Sequence, residues 1–388
     1  MRIILIRSTE VMPDPPVEKI AEELITEGHK VTILAWDRSN CYRGKVSVKK
    51  LASCETDIVH FGIPAEYCGG IKKNFRALLL FQFRILHWLS RHHKEFDAVH
   101  AFDFDTGFAS MLCCKVFRKK FIYHILDYYV DGHILAWKFL NPIVEFFEIR
   151  VINAADVTII CTEKRAEQIS KSSPKKLCVI HNTPSSLMQP NESFALQSSS
   201  GKMKLAYVGI LAGGRLLKET VEAISQMKNI EMHIGGFGEL DSWMQNAAER
   251  YENVFYYGRL QYSDTLALEK KCDIMIAAYD PSQRNHKYAA PNKFYESIML
   301  GKPIIMANDT GYDDVIKEND IGCLTEFSQD GIRNALHTLE SRRADWPSMG
   351  DRARELYKST YSWEIMRHRI QEIYQDVQTS AGKELHTI

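Results

Sequence analysis

The sequence predicts an α/β protein made of two doubly wound, Rossmann-like domains, and three observations lead there. Short apolar, β-rich runs alternate with longer amphipathic stretches from the first residues onward, which is the rhythm of a parallel sheet with helical crossovers. The rhythm breaks near the middle of the chain, in a stretch of Pro, Ser and Asn, and then restarts. The chain has 388 residues, enough for two to three cores at about 150 residues per domain.

Taken in order, residues 3–6 read as a strand, about 17–27 as a helix with Gly28 as its stop, and 31–35 as the next strand, together one βαβ unit. Strands near 58–61, 98–101, 121–124, 157–161 and 178–180 continue the pattern, so six or seven strands are expected in a first domain over residues 1–182. The segment 183–202, TPSSLMQPNESFALQSSSGK, lacks periodicity and reads as the interdomain linker. Strands near 204–208, 231–234, 254–257, 274–277 and 303–307, with a helix near 216–227, build a second domain over residues 203–362. Residues 363–388 then read as a C-terminal helix and tail crossing back to the first domain, frayed over 382–388. No tandem repeat is present.

Composition narrows the function. Apolar residues are 45% and charged residues 25%, ordinary globular values. Lys plus Arg equals Asp plus Glu, 49 each, so no global field draws nucleic acid, and an anion site must come from local clustering. The nine cysteines (Cys41, Cys54, Cys68, Cys113, Cys114, Cys161, Cys178, Cys272 and Cys323) are odd in number and lack zinc or redox spacing, which points to a reduced cytosol. Four apolar residues between Arg2 and Arg7 are too few for a signal peptide, and nothing reaches the roughly 20 apolar residues of a spanning helix.

Three stretches could carry chemistry. In Tyr207–Lys218 (YVGILAGGRLLK) a strand runs into a glycine turn and a helix. Gly209, Gly213 and Gly214 allow positive φ and close approach of an anion to backbone amides, and the helix start with Arg215 and Lys218 suits a diphosphate. It is neither a Walker loop nor a complete dinucleotide fingerprint; the bland alternative is a turn with two solvated cations. Gly235-Gly236-Phe237-Gly238 ends another strand near the same edge, where the glycines could serve only the turn, and Arg259 follows a third. In 291–303, PNKFYESIMLGKP, Pro291 or Asn292 starts a helix that Gly301 ends. Lys293 and Glu296 lie one turn apart while Phe294, Ile298 and Met299 pack inward. Glu296 could accept two hydrogen bonds from a ribose diol; the alternative is a plain helix ion pair.

Residues 72–94, KKNFRALLLFQFRILHWLSRHHK, hold six Lys or Arg, three His and no acid. Helical spacing puts Phe75, Leu78, Leu79, Phe83, Leu86 and Leu89 on one face and Lys73, Arg76, Arg84, His87 and Arg91 on the other, with Trp88 near the end. Such a helix suits an anionic bilayer surface, extended by Arg118, Lys119 and Lys120, or else packs its apolar face on its own sheet.

Together these residues resemble glycosyltransferase family 4. The set comprises the Gly209–Lys218 turn, GGFG at 235–238, the helix bearing Glu296 followed by GKPII, HNTP at 181–184, and, in the first half, EKIAEEL, EGHKVTIL, DAVHA and Tyr123-His124. The likeness spans about residues 2–375. It implies the GT-B fold, two Rossmann-like domains facing each other across a cleft. It further implies sugar transfer from a nucleotide-sugar, of the UDP class, with retention of configuration and with neither cofactor nor obligatory metal.

By position, the resemblance implies that Glu296 binds the ribose, that Arg215 and Lys218 neutralise the diphosphate, and that His124 contacts the donor sugar. His100 reads as a core residue. The chain departs from the family in three places. Tyr288 stands where the first acid of the Glu-x7-Glu pair belongs, with Lys293 as a polar substitute in a form resembling the branch that assembles bacterial surface polysaccharide. Residues 8–16, STEVMPDPP, replace the usual glycine loop, and the cations after Gly209 are displaced from the usual spacing. Asp103, Asp105 and Asp127 share the rim of His124, but none is singled out as a general base. The expected partners are a nucleotide-sugar, a glycan or lipid-linked glycan acceptor and an anionic membrane at the inner face, and no nucleic acid. The alternatives are a silent nucleotide-sugar-binding or scaffold subunit and a GT-B sugar-nucleotide epimerase; a dehydrogenase ranks last.

Overall fold

In a computed structural model the chain divides into a first unit, Met1–His181 with Met366–Ile388, and a second, Asn182–Ile365. Residues 12, 43, 52–53, 67–69, 133–139, 186–187, 199–200 and 386–388 are not described, nor are the side chains of 70–71 and 381–385. Cys68 and most of the tail therefore fall outside the described residues. The other eight cysteines are free thiols.

The first unit is an eight-stranded sheet of β1 (Arg2–Arg7), β2 (Lys30–Asp37), β3 (Val46–Lys50), β4 (Glu55–Gly62), β5 (Ala98–Phe102), β6 (Lys120–Ile125), β7 (Val157–Ile160) and β8 (Leu177–Val179). They lie in the order β3-β4-β2-β1-β5-β6-β7-β8. All pairings are parallel except β3 with β4. The central strands β5, β6 and β7 are buried at every position, because helices cover both faces of a parallel sheet, and their sequences read as unbroken apolar runs for that reason. Strand β3 is the eighth strand, beyond the six or seven expected. Its sequence, VSVKK, leaves Val46 and Val48 about 60% exposed, and an edge strand carrying lysines has no apolar run to betray it.

Helices α1 (Pro15–Thr26), α2 (Gly70–Arg91), α3 (Phe104–Phe117), α4 (Tyr129–Gly132), α5 (Asn141–Ala154) and α6 (Arg165–Gln168) connect these strands. Two prolines open α1, where their missing N–H groups cost nothing. The Glu18 carboxylate reaches back to accept from the Asp14 amide at 3.0 Å, and Gly28, at φ +80°, follows its end.

The second unit is an all-parallel sheet of β9 (Met203–Ile210), β10 (Ile230–Phe237), β11 (Val254–Tyr256), β12 (Ile274–Ala277), β13 (Ile304–Ala307) and β14 (Gly322–Thr325). The order is β11-β10-β9-β12-β13-β14, that of the dinucleotide-binding sheet, with its switch point between β9 and β12. Around it lie α7 (Leu217–Ser225), α8 (Asp241–Arg250), α9 (Tyr262–Lys271), α10 (Asn292–Leu300), α11 (Asp313–Asn319), α12 (Gln329–Ser341) and α13 (Trp346–Leu356). A final helix, α14 (Trp363–Leu385), joins the first unit from Met366 onward, and there Arg367 pairs with Glu23 at 2.5 Å.

Two expectations need correction. The apolar stripe of α2 is rotated from the expected one: Phe81, Ile85 and Leu89 are fully buried, whereas Phe75, Leu79, Leu80 and Phe83 are 41–62% exposed. The helix has more apolar residues than one core face can take, so periodicity alone assigned the wrong stripe. The basic run after α3 does not extend the cationic face as a block either. Lys120 is buried in β6 and the Lys119 ammonium donates to the Phe96 carbonyl at 2.7 Å, leaving Arg118, the left-handed cap of α3, exposed. The segment read as a linker is partly docked. Phe194 and Leu196 pack on the core of the second unit, and the Asn191 side chain donates to Asp264 at 2.6 Å.

Candidate functional site

In the second unit the switch point lies where the loops after β9 and β12 diverge. Gly209, the penultimate residue of β9, has φ +149°, a conformation glycine adopts freely. Gly214 is also left-handed at φ +73°, whereas Gly213 is absent from the positive-φ residues, so of the three glycines expected to need that freedom two do. The Gly213 amide donates to the Glu239 carboxylate. Arg215 and Leu216 complete the turn, with Leu216 at φ +55° as the cap of α7.

Helix α10 brings the decisive side chains to this edge. Pro291 caps it and Gly301, at φ +68°, ends it. Lys293 and Glu296 are 8% and 4% exposed, which rules out a solvated surface ion pair. Phe294 and Ile298 are fully buried, while Met299 is only partly so. The Lys293 ammonium lies 4.5 Å from the centre of the Tyr207 ring and fills the space beside Gly209, where a Cβ would come within 2.6 Å of it. Burial opposes the charge, but Tyr207, Tyr279 and Glu296 outweigh it and hold the pKa above the ordinary lysine value. The Arg215 guanidinium stacks 4.0 Å from the Tyr279 ring centre and is close enough to Lys293 to act on its charge. Two cations, Lys293 and Arg215, thus sit with Glu296 at the switch point.

Three groups here escaped sequence reading. Glu269 on α9 is wholly buried, with no hydrogen-bond partner on either carboxylate oxygen among the described residues. Burial, reinforced by Glu296 and opposed by Lys293, pushes its pKa well above the usual carboxylate range and so favours the protonated form. The Tyr262 hydroxyl hydrogen-bonds Glu296, and burial together with that carboxylate raises the phenol pKa. Tyr279 supplies the face for Arg215. In the sequence Glu269 precedes two lysines near the end of a helix and reads as a solvated charge; only packing shows that it is enclosed.

The remaining expected residues divide. Lys218 is exposed and turns to Trp243 on α8, 5.5 Å from its ring centre, so of the two cations after Gly209 it is Arg215 that the structure groups with Lys293. Gly236 and Gly238, at φ +143° and +151°, serve backbone packing. A Cβ on Gly236 would lie 1.9 Å from the Gly209 carbonyl oxygen, and one on Gly238 2.4 Å from that of Leu211. Phe237 is 44% exposed beneath the Arg259 guanidinium at 4.5 Å. Asn292 accepts from the Asn182 side chain at 2.7 Å. Tyr288 closes a short 3-10 turn, Arg284–Tyr288. A cavity of about 380 Å³ lined by Asp273, Lys302, Arg343, Trp346 and Arg354 lies at the amino ends of β12 and β13, the wrong end of the sheet for a ligand of this fold.

The first unit has its own polar edge. Arg7 ends β1 and pairs with Asp14 at 2.9 Å and with Asp103. Asp103, at φ +61°, also accepts from the Leu126 and Asp127 amides at 2.8 and 3.1 Å. Burial raises its pKa against the pull of Arg7, and with its lone pairs so engaged it holds the turn together. His124 on β6 is 2% exposed, an interior side chain and not an open rim residue. Burial, with help from His100, Arg7 and Arg165, pushes its pKa well below the usual histidine value. On α2, Lys73 pairs with Glu66 at 2.8 Å, while Arg76, Arg84 and Arg91 are exposed and Trp88 stacks on His92 at 4.2 Å.

Comparison with known families decides the assignment. Residues 17–183 match the family described as Glycosyltransferase Family 4, and residues 188–356 match Glycosyl transferases group 1. The chain is a GT-B glycosyltransferase that pairs these two families. Solved structures agree on the GT-B fold of this glycosyltransferase. Sucrose-phosphate synthase from Thermosynechococcus elongatus is 15% identical, with a TM-score of 0.77 over 98% of this chain and 100% of that one. HepE of Anabaena, solved in complex with UDP-glucose, is 12% identical, with a TM-score of 0.65 over 97% and 100%. WaaG, a glycosyltransferase involved in lipopolysaccharide biosynthesis, is 13% identical, with a TM-score of 0.64 over 96% and 99%. No curated protein matches the sequence. Among the described residues no helix of this glycosyltransferase is long and apolar enough to cross a membrane.

Proposed function

We propose that this chain is a retaining, metal-independent glycosyltransferase that moves a sugar from a UDP-sugar to a lipid-linked glycan acceptor in cell-surface polysaccharide synthesis at the inner face of the membrane. One observation carries the donor half: a buried ammonium, Lys293, held charged beside the bare backbone of Gly209, with Arg215 next to it. In the reaction the bond from the anomeric carbon to the diphosphate oxygen breaks as a bond to an acceptor oxygen forms, and the acceptor proton passes to the departing diphosphate. The negative charge growing on the nucleoside diphosphate needs fixed partners that do not reorganise, and Lys293 and Arg215 supply two. Glu296 accepts from the ribose diol, and His124 binds an oxygen of the sugar. HepE in its UDP-glucose complex supports the choice of nucleotide.

The membrane half rests on the outer surface of the first unit. Phe75, Leu79, Leu80 and Phe83 are exposed on the same helix as Arg76, Arg84 and Arg91, and α3, which packs against α2, leaves Val116 71% exposed. Apolar side chains among cations suit an anionic lipid interface.

The test is a panel of UDP-, GDP- and dTDP-sugars read by thermal shift, followed by transfer of labelled sugar into a lipid extract. A donor at 100 times its Kd stabilises by about 2.7 kcal/mol. Stabilisation by UDP-sugars and labelled lipid product are expected, both lost in Lys293→Met. Binding without turnover, whatever the acceptor, would make the chain a silent binding subunit.

A further inference from the structure

The face of the first sheet covered by α14 carries a buried polar chain that leads to His124. The Tyr374 hydroxyl lies 2.8 Å from His100 Nδ1, and His100 Nε2 lies 3.3 Å from His124 Nδ1. Both imidazoles and Tyr374 are 0–2% exposed, and Phe102 stacks on both rings at 4.5 and 5.0 Å. The far nitrogen, His124 Nε2, is buried with no hydrogen-bond partner among the described residues.

The direction of the chain follows from its proton count. Burial alone holds His100 down at about 3, and His124 is depressed as well, so at neutral pH each ring carries one N–H. Burial also raises the Tyr374 phenol, which keeps its proton. Among the described residues that hydroxyl has His100 Nδ1 as its hydrogen-bond partner, and a buried donor left unpaired costs about 1–3 kcal/mol. Tyr374 therefore donates, leaving His100 with its proton on Nε2. That proton is donated to His124 Nδ1, and the proton of His124 must then reside on Nε2.

We propose that Tyr374 and His100 are positioning residues that fix the tautomer of His124, so that its Nε2–H is presented as a donor to a substrate oxygen. The substrate group it takes is then an acceptor, such as a sugar hydroxyl oxygen, and not an N–H. This rests on the reading of His124 as a sugar contact, but the tautomer can be measured without turnover.

The experiment is ¹⁵N NMR of histidine-labelled protein at pH 7.5, with His100 and His124 assigned from His100→Asn and His124→Asn. Wild type is expected to show the Nε2–H form for both rings. Tyr374→Phe, which keeps the ring packing and loses the proton, is expected to shift both toward a mixture and to lower kcat several-fold with KM for the nucleotide-sugar unchanged. An Nδ1–H signal for His124 in the wild type, or tautomers unmoved by Tyr374→Phe, overturns the relay. If the tautomers shift in Tyr374→Phe while His124→Asn retains full transfer, the relay stands and the sugar-contact reading of His124 fails.

Discussion

Lys293 and Gly209 share one space: the ammonium sits where a Cβ on residue 209 would be, 2.6 Å away. A helix side chain and a strand-end glycine are thereby made interdependent, and the charge can reach the switch point because the backbone there is bare. Gly209→Ala is expected to displace the ammonium and to weaken UDP binding by about tenfold or more, since a charge-assisted hydrogen bond is worth about 1.5–3 kcal/mol. Titration calorimetry with UDP measures it, and unchanged affinity would show that Lys293 does not meet the diphosphate.

Gly236 and Gly258 offer a contrast in stability. Both are left-handed, but a Cβ on Gly236 would strike the Gly209 carbonyl at 1.9 Å, whereas at Gly258 nothing lies within 4 Å. Gly258→Ala should cost only the backbone penalty of about 1–2 kcal/mol. Gly236→Ala adds a steric clash of about 1–3 kcal/mol. Urea denaturation of the two variants should rank them in that order.

Glu269 makes the protein less stable as the medium turns basic. Its folded pKa is raised well above 4.5, so the folded state holds a proton that the unfolded state has released, and stability falls as pH rises above about 4.5 toward the folded pKa. Glu269→Gln removes this term. Its melting temperature should gain on wild type as the pH rises above about 4.5, and parallel curves would mean that the carboxyl is ionised in the fold.

The histidine pair acts in the opposite sense. His100 is held down at about 3 from 6.5 and His124 is also depressed. Below about 6.5 the unfolded chain takes up protons that the fold refuses, and stability drops by as much as about 1.4 kcal/mol per pH unit for each ring. His100→Gln should flatten the stability curve between pH 6.5 and pH 4.

Phe83 is 62% exposed and Leu79 53%. Replacing both with glutamate should reduce binding to vesicles containing anionic lipid by about tenfold or more, given about 1.5–3 kcal/mol for a fully buried apolar side chain, while leaving UDP affinity intact. Sedimentation with vesicles checks it, and undiminished binding would locate any lipid contact elsewhere.

Much of the fold was legible because the two sheets are buried on both faces, so strands such as β5 and β13 are written as apolar runs with turns between them. Strand β3 was not, because an edge strand needs no such run, and neither was the true stripe of α2, where apolar residues exceed what one core face can bury. At the site, Gly209, Arg215, Lys293 and Glu296 could be named from the turn and the helix that bear them. Lys218 turned out to face Trp243, since the left-handed cap at Leu216 sets the phase of α7 and no local pattern reveals it.

By itself the sequence determined two parallel α/β domains, the glycine turn after β9 and the helix that delivers Lys293 and Glu296, because alternation, turn chemistry and helix caps are local. Tertiary structure alone decided that Glu269 is enclosed beside Glu296, that Lys293 fills the space beside Gly209, and that Tyr374 meets His100 from 274 positions away. Burial and long-range contact set charge and proton position, and neither can be read from neighbours along the chain.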